Sequence, residues 1–273
     1  MTNNSCNTHN NNNTINDKIW RVVVSNDDGI ESEGIRHLIK ALSQVSDVYV
    51  CAPEGERSAS GHSITVRNPI VMEEVEVPYA KGAMRFSGTP ADCVKMGIRF
   101  LKEKGIPIDM VFSGINHGGN LGTDTLYSGT VAAAMEGVLC GVPGVAVSVD
   151  SHRPSHFDTA CKLALELFDK VKAGIPDGIM LSLNVPNLPA TEIKGLKCAR
   201  LGMRQYIEQF EETINQMGQT EYWYRGLPVI YNCDEVSNDV TAMQQRYATI
   251  TPLKFDLTEE NYLQEICDWE LKI

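Results

Sequence analysis

The sequence predicts an α/β protein: a Rossmann-like three-layer core with a mostly parallel sheet, followed by a C-terminal β-rich extension. Short β-branched runs alternate with stretches whose apolar residues recur at helical spacing, the pattern of βαβ units with helices on both sheet faces. Beyond Pro189 that alternation gives way to charged and aromatic segments. The expected organisation is an Asn-rich tail over 1–17, the core over 18–189, and an extension over 190–273 that returns to the core. The tail lacks the basic start and apolar centre of a secretory signal, and its composition buries too little surface to fold.

Trp20 to Ser25 reads as a buried strand, and Ile35, Leu38, Ile39 and Leu42 form one helix face after it. "DVYVCAP" (Asp47 to Pro53) is the next strand, and a polar loop, "EGERSASGHS", leads to a β excursion over Ile64 to Val77. In "GTPADC" Thr89 is placed as N-cap, Pro90 at the first helical position and Asp92 in the first turn, with Val94, Gly97, Ile98 and Leu101 as the buried face. "IDMVFSG" is a strand. A Gly-rich stretch follows, then a helix with Val131, Met135, Val138 and Leu139 on its inner face. "PGVAVSVD", a helix from about Ser155 to Lys172 and "GIMLSLNVP" close the alternating region. In the extension Tyr222, Trp223 and Tyr224 cluster, either packing on the core or another subunit, or contacting a flat ligand such as a base.

The formal charge of −11 argues against nucleic acid as a bulk partner, and no apolar run reaches the roughly 18 residues of a membrane helix. Eight dispersed cysteines without a C-x-x-C pair point to reduced thiols in a cytoplasm, most serving as small hydrophobes.

Three polar clusters follow strands: "SNDDG" at 25–29, "RSASGHS" at 57–63 and "SGINHGGNLGTD" at 113–124. Ligands bind at the carboxyl ends of strands in open parallel sheets, so the clusters are expected on one rim. Asp27 and Asp28 offer carboxylates, Ser58 a hydroxyl and Asn116 an amide oxygen, a set suited to Mg²⁺ or Mn²⁺. A solvated turn is the plainer reading of the Asp pair alone. Ser128, Gly129 and Thr130 open a helix after a loop with Gly114, Gly118, Gly119 and Gly122, which suits an anion; simple capping by Ser128 is the alternative. His62 and His117 lie within the clusters, whereas His9, His37, His152 and His156 read as structural or solvated.

"SNDDGI", "APEGERSASGHSIT", "GTPADCVKMG", "SGINHGGNLGTDTLYSGTVAAAMEG", "YWYRG" and "TITPLKFDLT" together, in order from Arg21 to Thr258, resemble the SurE family. The resemblance implies a metal-dependent phosphatase acting on nucleoside 5′- and 3′-monophosphates, with Asp27, Asp28, Ser58 and Asn116 as ligands of one divalent cation per subunit. It implies Asp27 and Asp28 as the catalytic pair, and a homodimer or homotetramer built through the extension. Substrate contacts are expected at Asn26, Gly114, Asn120, Ser128, Gly129 and Thr130. Two positions depart from the pattern: Arg246 and Ala132 stand where glycine is expected. A non-catalytic nucleotide-binding regulatory module is the alternative. An aspartyl-phosphate enzyme fits less well, because its two acids are usually one residue apart.

Overall fold

In the computed structural model, which describes residues 18–229, 238–269 and 271, Arg21–Ser25 (β1) runs through the middle of a nine-stranded sheet. The tail 1–17, with Cys6 and His9, and also Cys233 lie outside the described residues. β1 pairs in parallel with Asp47–Pro53 (β2) on one side. On the other it pairs in parallel with the strand Met110–His117, which is β5 in chain order. Met72–Val75 (β3) and Gly82–Phe86 (β4) extend the β2 edge, β4 parallel and β3 antiparallel. On the β5 side lie Gly144–Asp150 (β6) and Ile179–Pro186 (β7), both parallel. Beyond Pro189 the chain adds Leu196–Cys198 (β8), then the antiparallel hairpin Tyr206–Ile214 (β9) and Thr220–Pro228 (β10) as a separate two-stranded sheet. Ala248–Lys254 (β11) returns to pair antiparallel with β7 and parallel with β8.

Strand alternation sorts the core. Val22 and Val24 pack with Ile35, Leu38 and Ile39 of Glu33–Leu42 (α1), while Val23 faces the opposite layer with Val94 and Leu101 of Pro90–Glu103 (α2). Gly129–Leu139 (α3) lies beside α2, and Asp158–Lys172 (α4) beside α1, so the two faces are covered as a parallel sheet requires. Two short helices complete the chain, Asp239–Gln244 (α5) against β11 and Glu260–Cys267 (α6). Among the described residues no helix is long and apolar enough to cross a membrane.

Thr89 caps α2 as its sequence requires, accepting from the Asp92 N–H at 3.2 Å while the Asp92 carboxylate accepts from the Thr89 N–H at 2.9 Å. Elsewhere tertiary context overrides pattern. The β excursion shrinks to β3, and β4 arises from "GAMRF", whose strand character comes from pairing with β2. Leu139, placed on the inner face of α3, is half exposed because the last turn projects past the sheet. Cys51 and Cys93 are buried apolar packing; burial pushes the Cys51 thiol up to about 12, leaving it unreactive.

Candidate active site

The order β2-β1-β5 brings the loops after three neighbouring strands to one rim. Arg57 N–H donates to Asp27 O at 2.7 Å, Gly61 N–H to Tyr127 O at 2.9 Å, and His117 N–H to Asp28 Oδ2 at 3.2 Å, so the three polar clusters touch as expected. The turn after β1 is fixed from within. Asn26 Nδ2 donates to Gly29 O and to Ser32 Oγ, both at 2.8 Å, which commits its donors to the turn and leaves its buried Oδ1 without a protein partner.

Asp27 is 4% exposed and accepts a hydrogen bond from the Thr130 hydroxyl through Oδ1. Burial raises its pKa to about 6; the Thr130 hydrogen bond opposes that rise and the Asp28 charge adds to it. Asp28 is also raised by burial, with His117 acting against the shift and Glu56 for it. No Lys or Arg appears among the charges that act on either carboxylate. Two adjacent, desolvated carboxylates without a Lys or Arg partner among the described residues fit a hard cation. Among the described residues no three His, Cys, Asp or Glu side chains assemble as a metal site, so neutral oxygens or water must complete this one.

Asn116 sits just past a register shift in the β5–β6 pairing, a bulge that re-aims the end of the strand. Its Nδ2 donates to Gly118 O at 2.8 Å, which leaves the amide oxygen as the free group. Gly114, within that bulge, stands so close to β6 that a Cβ would lie 2.2 Å from Val147 O; its place is in the scaffold. Ser58 is exposed and its hydroxyl donates to Glu56 Oε1 at 2.8 Å. The loop hydroxyl that does reach the site is Ser60. Its Oγ is buried without a partner and lies 2.9 Å from where a Gly129 Cβ would stand, beside Asp27. Sequence reading missed Ser60, although it lies two residues after Ser58 in the same cluster; Ala59, at φ 55°, decides how the loop turns its hydroxyls.

The start of α3 is partly occupied by the protein's own groups. Ser128 Oγ accepts from Val131 N–H at 3.0 Å as N-cap, and both the hydroxyl and the main-chain N–H of Thr130 favour the Asp27 carboxylate. Thr130 therefore holds Asp27, and the Gly129 N–H, without a protein acceptor among the described residues, remains to meet an external anion. Asn120 Nδ2 donates to Ser148 Oγ at 2.8 Å, and its main chain pairs with Asn184 at 2.8 and 3.1 Å, which ties the loop to β6 and β7.

His62 Nε2 lies 2.9 Å from Oε2 of Glu136, a carboxylate only 2% exposed that also takes Lys95 Nζ at 2.8 Å. The pair fastens the 54–63 loop to the middle of α3. His117 packs its ring against Phe157, centroids 5.9 Å apart, with Nε2 buried.

A family model described as survival protein SurE matches residues 22–208. A 5′-nucleotidase SurE of Pelotomaculum thermopropionicum is 42% identical over 90% of this chain and 93% of its own length; that of Petrotoga mobilis is 41% identical over 91% and 98%. The crystal structure of the Sure protein from Aquifex aeolicus superposes with a TM-score of 0.77 at 38% identity, over 90% of this chain and 98% of that one. With the rim geometry, the family match and these relatives agreeing along the length of the core, the chain belongs to the SurE family.

Proposed function

We propose that this SurE-family 5′-nucleotidase is a divalent-cation-dependent phosphomonoesterase that hydrolyses nucleoside 5′-monophosphates, and 3′-monophosphates as well, to nucleoside and phosphate. One observation carries the reading: the Asp27–Asp28 pair is desolvated, has no Lys or Arg partner among the described residues, and abuts the N-terminus of a helix with a free N–H. Asp27, Asp28, the Asn116 amide oxygen and a hydroxyl of the 54–63 loop would hold one Mg²⁺ or Mn²⁺ per subunit. The loop hydroxyl is Ser58 once released from Glu56, or Ser60. Such a cation, when bound, polarises a phosphoryl oxygen and acidifies a coordinated water.

The chain's own groups do the rest. The Gly129 N–H and the positive end of α3 favour charge on the transferring phosphoryl group. Thr130 keeps Asp27 in one orientation, and Asn26 holds the turn that presents both acids. The extension over 190–273 is read as the oligomerising part, in a homodimer or homotetramer; exposed Ile207, Phe210, Ile214, Trp223 and Leu227 on the hairpin support this. A cytoplasmic location accords with the unpaired cysteines. The test is release of inorganic phosphate from a panel of 5′- and 3′-nucleoside monophosphates. Turnover of members of the panel is the expected result, and binding without release would favour the regulatory module.

A further inference from the structure

The turn Gly122–Leu126, which leads directly into Ser128, is held almost entirely by the C-terminal extension. Asp239, fully buried at the start of α5, accepts from Gly122 N–H through Oδ2 at 2.7 Å and from Gly202 N–H through Oδ1 at 2.7 Å. Its own N–H donates to Arg200 O at 3.0 Å. Arg204 adds a second fastening. Its Nη1 donates to Gly119 O at 2.9 Å and lies 3.2 Å from Asp124 Oδ2, its Nη2 lies 3.5 Å from Asp150, and its main chain exchanges hydrogen bonds with Thr123 Oγ1 at 3.1 and 3.3 Å. Tyr206, the first residue of the hairpin, donates its hydroxyl to the same Asp124. A buried carboxylate that accepts from the main-chain N–H groups of Gly122 and Gly202, 80 residues apart, and also of Val240, ties the two segments together through charge-assisted hydrogen bonds.

We propose that Asp239, with Arg204, is a positioning residue of the phosphate site, coupling the root of the C-terminal hairpin to the turn that sets the Ser128–Thr130 helix start. The proposal rests on the reading of that helix start as the anion site. It makes the extension part of the machinery that holds substrate, separate from any role in assembly. The clamp touches neither Asp27 nor Asp28 and reaches the metal pair only through Thr130, so breaking it should weaken phosphate binding more than metal binding.

The test uses the full chain with Asp239→Asn, which keeps the side-chain shape but places an NH₂ against one of the two N–H groups. Amide exchange in peptides covering 119–127 and 200–206 should accelerate at least about tenfold while β1, β5 and β6 exchange as in the wild type. KM for a nucleoside monophosphate and the inhibition constant of inorganic phosphate should rise together by about tenfold with kcat changed less, and Mn²⁺ affinity by calorimetry should fall by a smaller factor. Unchanged exchange and KM, or a loss of protection spread evenly over the whole sheet, would overturn the proposal. If Asp239→Asn fails to fold, Tyr206→Phe and Arg204→Lys must give the same localised exchange and KM effects in weaker form; wild-type behaviour in both overturns it. Exchange and phosphate binding do not require turnover. An inactive wild type with intact phosphate binding would therefore count against the proposed function and leave the clamp to be judged by its own readouts.

Discussion

Replacing Gly129 by alanine adds a single carbon, and the structure says where it goes. That Cβ would stand 2.8 Å from Asp27 Cβ, 2.9 Å from Ser60 Oγ and 3.0 Å from Asp27 Oδ2, against an ordinary contact of 3.4 Å or more. None of these neighbours is the loose end of a long side chain, so Asp27 itself must retreat by roughly half an ångström. Two effects on stability oppose each other. Alanine gains up to about 1 kcal/mol over glycine in a helix, and overpacking costs about 1–3 kcal/mol, so the net loss is at most about 3 kcal/mol. Activity has no such compensation, because a 1 Å misplacement in a reacting constellation costs on the order of 100-fold and half of that about tenfold. The expected result for Gly129→Ala is therefore a fall in Tm, a fall in kcat of about 10- to 100-fold at saturating Mn²⁺, and weakened Mn²⁺ binding by calorimetry. Metal and phosphate affinity should fall together, since the added carbon meets the carboxylate before it meets any substrate. Activity and Mn²⁺ affinity both within about twofold of wild type would refute the placement of Asp27 against the helix start.

Asp28→Asn should reduce phosphate release below about 1% of wild type with an unchanged circular dichroism spectrum, because it removes a charge from the cation site and relieves repulsion with Asp27; activity within a few-fold of wild type would sink the metal assignment. Arg246 adopts φ 67° where glycine is favoured, and its ion pair with Glu192 at 3.4 Å is exposed, so Arg246→Gly should stabilise by about 0.5–1 kcal/mol; a lowered Tm contradicts this. For Glu136, burial raises the carboxyl but hydrogen bonds and charges from His62 and Lys95 outweigh it, so the group is lowered from 4.5. A depressed carboxylate stabilises above its unfolded pKa and loses that contribution as pH falls through the folded value. Glu136→Gln should therefore cost about 1–2 kcal/mol at pH 7, and the gap should close as the pH falls below the carboxyl's ordinary value of 4.5 in denaturant titrations. A gap independent of pH would refute it.

Much of the fold is legible because periodicity is a local property. Val22 to Val24 and the Ile35–Leu42 face declare their layers without help, and the polar clusters after β1, β2 and β5 declare a shared rim. What the sequence hides depends on contacts far away in the chain. β4 is a strand because β2 lies beside it, and α5 is a short helix capped by Asn238 within a region of aromatic and charged residues. Ser58 and Ser60 cannot be ranked by spacing, since the conformation at Ala59 decides which hydroxyl faces Asp27. Gly129 suggests an unusual backbone, yet it has an ordinary helical conformation, and its requirement is the space taken by Asp27. The bonds of Asn120 to Ser148 and Asn184 join residues far apart in the chain and are invisible to local pattern. Glu136 reads as a solvated helix residue until two partners from other elements bury it.

The central claim is that the Asp27–Asp28 pair works by holding a divalent cation. The most direct measurement strips the wild-type protein with EDTA, verifies the metal content, and follows phosphate release from a nucleoside 5′-monophosphate as Mg²⁺ or Mn²⁺ is added back. An all-oxygen set holds such ions without the retention that His or Cys would give. The predicted result is activity that disappears with the metal and returns saturably on addition of either ion, with one equivalent bound per subunit and none bound by Asp28→Asn. Full phosphate release from protein shown to contain no metal would contradict the account.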